Sequence, residues 1–168
     1  ADIPRDVFSV FQGWAWDKLY RAEFVRESQL TFQGLRTTND LRFVMTALAC
    51  AARIVVIDDV LVHQRRQVLT SLSRTRERSW DNFYRALLGL RDELLDRGLY
   101  ERYRKDFANY ALQLTLWNLR TLDGISFHLL YDSLKSGWLT ELGVTPNGPR
   151  YFFSGDDFVA LQRILKLS

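Results

Sequence analysis

The chain has 168 residues and a formal net charge of +3 at pH 7, and its residues are 47% hydrophobic and 14% aromatic. These values are typical of a folded protein of one or two small domains, and they exclude a disordered chain. The charge is too small for a nucleic-acid-binding protein, and no apolar run approaches the ~20 residues that span a bilayer. With no signal-peptide pattern and the single cysteine Cys50, the sequence predicts a soluble, cytoplasmic protein without an internal disulfide.

Helical spacing of apolar residues dominates the first fifty positions. Residues 2–12 and 17–27 each predict a short helix with one apolar face. A third helix is expected to start with Thr38 or Asn39 as its cap and Asp40 in its first turn. Its buried face is predicted to consist of Leu41, Val44, Met45, Leu48 and Ala52.

The pattern then changes twice. Residues 54–57 and 60–62 are β-branched runs separated by Asp58-Asp59, which predicts two short strands. From residue 75 onward the spacing is helical, with a break at Gly98 and a last helix capped by Ser154. Two of these helices are expected to bury each other through Trp80, Phe83, Leu87, Tyr103, Tyr110, Leu114 and Trp117.

We therefore predict a mainly α (α+β) protein with a domain boundary near residue 74. Residues 1–73 would form one unit with the two strands. Residues 74–168 would form a helical, bundle-like C-terminal region.

Three segments in the first unit form a recognisable order. Trp16-Asp17-Lys18-Leu19-Tyr20-Arg21 is followed by Asn39-Asp40-Leu41-Arg42-Phe43, and then by a β-rich run that ends in Gln64-Arg65-Arg66. Over residues 11–73 this order resembles the acceptor-side half of a bacterial family 2 glycosyltransferase of the GT-A fold. That family has a W-(D/N)-K-L-Y-R-R-x-F segment, an acidic (E/N)-D pair and a strand that ends in Y-R. The resemblance implies that the two strands lie at the edge of a larger GT-A sheet.

The resemblance implies that Asp40 is the catalytic base. In inverting enzymes of the family, the aspartate of the acidic pair removes the proton of the acceptor hydroxyl as its oxygen attacks the sugar. Asn39 stands where glutamate is usual. The alternative is that Asp40 only stabilises the N-terminus of a helix, which is a common use of aspartate.

The resemblance also implies residues that bind substrate. Trp14 or Trp16 could stack on a sugar ring, although tryptophans more often belong to the core, and Lys18 could support the cleft. Arg65 or Arg66 would stabilise the leaving diphosphate.

The nucleotide-binding half of such an enzyme has no counterpart in this sequence. The V-S-V-I-x-P-x-Y-N strand and the D-x-D metal motif are both missing, and neither Asp58-Asp59 nor Asp156-Asp157 has the strand context of D-x-D. We therefore expect no metal ligands or cofactor in this chain, and Mg²⁺ or Mn²⁺ only in the full-length enzyme. Its partners would be a nucleotide sugar and a glycan or lipid-linked acceptor, in bacterial polysaccharide or cell-wall synthesis at the inner face of the membrane. Open strand edges would permit a homodimer.

A second hypothesis belongs to another class. Residues 74–168 could form a non-catalytic interaction module that binds a protein partner or an anionic membrane surface through a nearby arginine cluster. The two hypotheses differ in whether Asp40 and Arg65 converge on one cleft. The cluster consists of Arg65, Arg66, Arg74, Arg76 and Arg78.

Overall fold

The computed structural model describes residues 6–64 and 76–166, and this part of the chain is mainly helical, as predicted. The α-helices are α1 (Val7–Val10), α2 (Ala22–Glu27), α3 (Leu41–Cys50), α4 (Asn82–Asp96), α5 (Tyr100–Thr121), α6 (Gly124–Ser133), α7 (Leu139–Glu141) and α8 (Gly155–Lys166). Short 3₁₀ turns lie at Arg76–Ser79 and Pro149–Tyr151, and a π-helical turn at Leu134–Trp138 joins α6 to α7. None of these helices has the length and apolarity needed to cross a membrane.

One hydrophobic core joins the N-terminal and C-terminal helices. α3 packs against α4, α4 packs against α5, and α1 contacts both α3 and α5. The buried cluster therefore draws on residues from both sides of position 74, including Phe8, Met45, Leu87, Phe107 and Leu112. Each such side chain contributes about 1.5–3 kcal/mol through burial.

A buried carboxylate fixes α1 to α5. Asp106 is only 2% exposed, and it accepts hydrogen bonds from the backbone amides of Phe8 (2.7 Å) and Ser9 (3.1 Å) and from the Ser9 hydroxyl (2.6 Å). The two amides belong to the first turn of α1, where helix N–H groups have no partner within the helix. Asp106 therefore caps a helix distant in sequence.

The predicted turn at Gly98 is confirmed. Gly98 has φ +66°. Its amide donates to the carbonyl of Leu95 (2.9 Å), and the amide of Leu99 donates to the carbonyl of Leu94 (2.8 Å). These two bonds are those of a Schellman motif, which ends α4 and lets α5 return along it. The predicted cap of α8 is also present, because Ser154 Oγ accepts a bond from the amide of Asp157 (3.2 Å).

The helix predicted over residues 17–27 is only partly formed. α2 begins at Ala22, and Leu19, an apolar residue within the predicted helix, is 84% exposed. Residues before Ala22 instead form a loop held by the ammonium group of Lys18, so the polar contacts of this loop override the helical pattern. Ala52 was also misplaced, since α3 ends at Cys50 and Ala52 is exposed.

The prediction that Trp117 belongs to the buried helix pair is wrong. Phe83, Leu87 and Tyr103 are buried as expected, but the Trp117 side chain is 51% exposed. The reason is the face of the helix: Thr115, Leu116 and Asn118 in the same turns of α5 are at most 5% exposed, so the core covers this part of α5 and Trp117 lies on its outer face.

The described residues contain no β-strand, so the two predicted strands are not formed. Residues 51–64 have no regular structure, and most of their apolar side chains are exposed, with Val56 at 74%, whereas Ile54 is partly buried against the core. A strand requires the backbone of a neighbour, and no other segment of residues 6–64 or 76–166 pairs with this one.

Candidate functional site

The loop between α1 and α2 is held in shape by one cation. The Lys18 ammonium donates to the carbonyls of Gln12 (2.6 Å) and Trp14 (3.0 Å) and to Asp17 Oδ1 (2.6 Å). An ammonium group has three hydrogens, so all of its donors are used within the loop. Lys18, which we predicted near the substrate, therefore supports the loop.

This loop exposes two aromatic rings. Trp14 and Trp16 stack on each other with ring centroids 4.9 Å apart and planes 14° apart, and each side chain is 43% exposed. Val10 and Leu19, near the two ends of the loop, are exposed as well (58% and 84%). Flat indole faces that remain accessible to solvent can stack on a ring-shaped ligand.

Asp40 lies at the N-terminus of α3 and faces this loop. Its side chain makes no capping hydrogen bond to α3, although its charge lies at the positive end of the helix dipole. Burial is the largest influence on the Asp40 carboxyl and raises its pKa. The backbone amides of Asp40 and Ala15 and the charge of Lys18 lower this pKa, and the carboxylate of Asp17 raises it. A half-buried carboxylate with a raised pKa is suited to accept a proton.

Two phenols lie within electrostatic reach of this carboxylate. Tyr20 has a buried hydroxyl with no hydrogen-bond partner among the described residues. Its pKa is raised to about 12, mainly by burial and to a smaller extent by the carboxylates of Asp17 and Asp40. Burial, with a smaller contribution from Asp40, also raises the pKa of Tyr110 on α5. Both groups stay uncharged at neutral pH and can act as hydrogen-bond donors.

The backbone just before Asp40 is strained. Thr38 has φ +59°, which is unfavourable for a β-branched residue. Such strain is often found at functional sites, where the surrounding structure holds it in place. Asn39 is exposed, and its carbonyl accepts a hydrogen bond from the amide of Gln33 (3.1 Å).

Some of the predicted site residues cannot be compared with this geometry. Arg65 and Arg66 lie outside the described residues, so the convergence of Asp40 and Arg65 stays a prediction. Within the described ranges, no three histidine, cysteine, aspartate or glutamate side chains form a metal-binding group. The Mg²⁺ or Mn²⁺ that the resemblance implies for the nucleotide-binding half stays a prediction.

Two shallow surface concavities lie away from Asp40. One is formed by the loop at 145–148 and by α8, and the other is lined by Lys105, Arg150 and Tyr151 among others. Neither includes Asp40 or the tryptophan pair. A ligand of the Asp40 site would lie against the exposed indole rings of Trp14 and Trp16.

Sequence reasoning assigned Trp14, Trp16, Lys18 and Asp40 to one site, and the fold brings them together. It did not assign Tyr110 to that site, because the spacing of Tyr110 indicates only a buried helix face. No local pattern connects residues that meet through tertiary packing. A comparison with known proteins adds no relative, because no family model, curated protein or solved structure matches the chain.

Proposed function

We propose that this chain is the acceptor-side half of an inverting glycosyltransferase and that Asp40 is its catalytic base. The observation that carries the proposal is the position of Asp40, whose carboxylate faces the loop bearing the exposed Trp14–Trp16 pair. A base beside an aromatic surface is the arrangement that a sugar acceptor requires.

In the proposed reaction, the acceptor hydroxyl donates its proton to the Asp40 carboxylate while its oxygen forms a bond to the anomeric carbon of the donor sugar. The bond from that carbon to the nucleoside diphosphate breaks on the opposite side, which inverts the configuration. The diphosphate leaves with the bonding electron pair, and Arg65 or Arg66 would stabilise its charge. Burial of Asp40 strengthens it as a base.

The tryptophan pair would bind the acceptor. Each indole has one face against its neighbour, so a sugar ring would stack on an outer face of the pair. Lys18 would act indirectly by keeping both tryptophans on the same turn, since its ammonium bonds to the carbonyl of Trp14. Asn39, which is exposed beside Asp40, would hydrogen-bond the acceptor.

We further propose that residues 54–57 and 60–62 are edge strands of a GT-A sheet whose remaining strands belong to a nucleotide-binding half. Their exposed β-branched side chains support this proposal, because such residues are usually covered in a sheet. Mg²⁺ or Mn²⁺ would bind in that half. The complete enzyme would act in bacterial polysaccharide or cell-wall synthesis at the inner face of the membrane.

The direct test is Asp40→Asn in a longer protein that contains the nucleotide-binding half. The substitution keeps the size of the side chain and removes the base, so turnover should fall by ~10²–10⁴-fold. Asp81→Asn is the matched control, because Asp81 lies at the N-terminus of α4 and pairs with Arg85 on the surface. Normal turnover in a folded Asp40→Asn protein would refute the assignment.

The chain alone should show no sugar transfer and no measurable affinity for UDP or GDP sugars. The reason is that the proposal places the nucleotide site in the other half. Titration calorimetry measures this directly. Micromolar binding to residues 1–168 would mean that the nucleotide site lies in this chain.

An interaction module is the second candidate. The observation that favours it is the exposure of large apolar side chains in the C-terminal region, including Trp117, Ile125 and Leu129. On this hypothesis the longer protein would bind a protein partner or an anionic membrane and would transfer no sugar. The Asp40→Asn experiment distinguishes the two, because only the transferase loses an activity.

A further inference from the structure

We propose that Tyr110, on α5 of the C-terminal helical region, is a positioning residue of the Asp40 site and acts on it through Gly13. The chemical purpose of this role rests on the proposed function, but the contact and its test do not. The proposal means that the helices after residue 74 help to build the candidate site.

The first observation is the space beside Gly13. A Cβ atom at this position would lie 2.9 Å from the Tyr110 hydroxyl oxygen and 3.3 Å from Met45 Cε. Real Cβ atoms essentially never approach a neighbour within 3.0 Å. The backbone of Gly13 is not in the left-handed region, so glycine is required here for space. The loop between α1 and α2, residues 11–21, carries Trp14 and Trp16 and is called the tryptophan loop below. Its start thus lies directly against α5.

The second observation connects Gly13 to Asp40. Lys18 bonds to the carbonyls of Gln12 and Trp14, which are the two neighbours of Gly13. The loop therefore moves with Gly13 as one unit. The same loop provides the Ala15 amide and the charged groups of Lys18 and Asp17 that act on Asp40. A displacement at Gly13 must change the surroundings of Asp40.

The third observation is that Tyr110 itself lies close to Asp40. The Asp40 carboxylate contributes to the raised pKa of Tyr110, after burial. Tyr20, Asp17 and Lys18 are the other titratable groups in this cluster. The Tyr110 hydroxyl is thus both the surface on which Gly13 rests and a neighbour of the proposed base.

The experiment measures the pKa of Asp40 by carbon-detected NMR titration of its carboxyl group. In Gly13→Ala, the new methyl group would push the loop away from α5 and uncover Asp40. Burial raises the pKa of Asp40 by more than the Ala15 amide and the Lys18 ammonium lower it. With Asp40 uncovered, its pKa should therefore fall toward the ordinary value of 3.8.

A double variant makes the test specific. Tyr110→Phe removes the hydroxyl oxygen that the new Cβ would meet, and Met45 can adjust because its side chain is flexible. In Gly13→Ala/Tyr110→Phe, the pKa of Asp40 should therefore return toward that of the parent. This recovery is a coupling between two positions, which a general loss of stability does not produce.

Two controls match the two substitutions. Gly34→Ala adds a methyl group where no atom lies within 4 Å, and Tyr100→Phe removes a half-buried hydroxyl from the other end of α5. Neither should change the pKa of Asp40. Thermal melting verifies that each variant is folded.

The proposal is overturned if Gly13→Ala leaves the pKa of Asp40 unchanged, or if the double variant has the same pKa as Gly13→Ala. If Gly13→Ala alone does not fold, the double variant decides: Gly13→Ala/Tyr110→Phe should fold, with an Asp40 pKa close to that of the parent, because the hydroxyl that the new methyl group meets is gone, and a double variant that also fails to fold overturns the proposal. The titration involves no sugar transfer. A failure of the proposed function therefore leaves this result intact, and the reverse also holds.

Discussion

Asp40 and Asp106 are two carboxyls whose pKa is raised by burial, yet their surroundings differ. Asp106 accepts three hydrogen bonds from Phe8 and Ser9, and these bonds lower its pKa against the effect of burial. Asp40 makes no capping bond to its own helix. The Asp106 carboxylate therefore links α1 to α5, whereas the Asp40 carboxylate faces the loop of Trp14 and Trp16, where the amides of Asp40 and Ala15 and the charge of Lys18 oppose its desolvation.

This difference predicts opposite effects of the same substitution. The pKa of Asp40 is higher in the folded protein than in the unfolded one. The stability that this carboxyl contributes is therefore fully present below the unfolded pKa, and it is lost as the pH rises through the folded pKa. Asp40→Asn removes this loss. At pH 7 the free energy of unfolding of the variant should therefore be equal to or higher than that of the parent. The difference should vanish below the ordinary aspartate value of 3.8. Urea unfolding across this pH range measures it.

Asp106→Asn is the matched comparison. The amide nitrogen cannot accept a hydrogen bond, so at least one donor on α1 would lose its partner, and stability at pH 7 should fall by about 1–3 kcal/mol. A stabilised Asp106→Asn protein, or a strongly destabilised Asp40→Asn protein, would contradict the separation of the two roles.

At the scale of elements, helix ends decide the arrangement. α4 ends in the Schellman motif at Gly98, and this turn sends α5 back along α4. α6 continues into a π-helical turn in which Gly137 has φ +126°, and Trp138 from that turn stacks on Tyr84 of α4 with ring centroids 3.7 Å apart. Each irregular turn is therefore matched by a tertiary contact.

Gly98→Ala should lower stability by about 1–2 kcal/mol, because a side chain in the left-handed region meets the following carbonyl. No other atom lies within 4 Å of the new methyl group, so the effect measures backbone strain alone. Gly148→Ala is the control: this glycine has φ −80° and equally open space, and its substitution should change stability little. Chemical denaturation compares the two, and equal effects would contradict this account.

At the scale of the whole molecule, a single core holds the predicted acceptor-side segment against the C-terminal helices. Val7, Val44, Leu87 and Phe107 all belong to one buried cluster. The Asp40 site lies where α3 and the tryptophan loop meet α5. Its geometry therefore depends on helices that the sequence pattern assigns to a separate unit.

The exposure of Trp117 gives a test of which face of α5 the core covers. Because the Trp117 side chain is 51% exposed, Trp117→Ala should lower stability by less than about 1 kcal/mol. Leu112 lies on the same helix and is 1% exposed, so Leu112→Ala should cost about 2–5 kcal/mol. Thermal and urea unfolding measure both. If Trp117→Ala proved as harmful as Leu112→Ala, the Trp117 side chain would be packed in the core and not on the outer face of α5.

The sequence by itself determined the features that depend on neighbouring residues. The helical spacing behind α3, α4 and α5, the glycine turn at Gly98 and the serine cap of α8 were all predicted correctly, because caps and turns act within a few positions of the chain. The grouping of Asp40 with the Trp14–Trp16 segment was also available from the order of the motifs.

Only the tertiary structure decided the features that depend on distant residues. Trp117 is exposed because it lies on the outer face of α5, where Thr115, Leu116 and Asn118 of the same turns are buried, and residues 54–62 form no strand with any other part of the described chain. Tyr110 reaches Gly13 because α1 and α3 both pack near α5. Periodicity reports which face of an element is apolar, but packing between elements selects which of those faces meet.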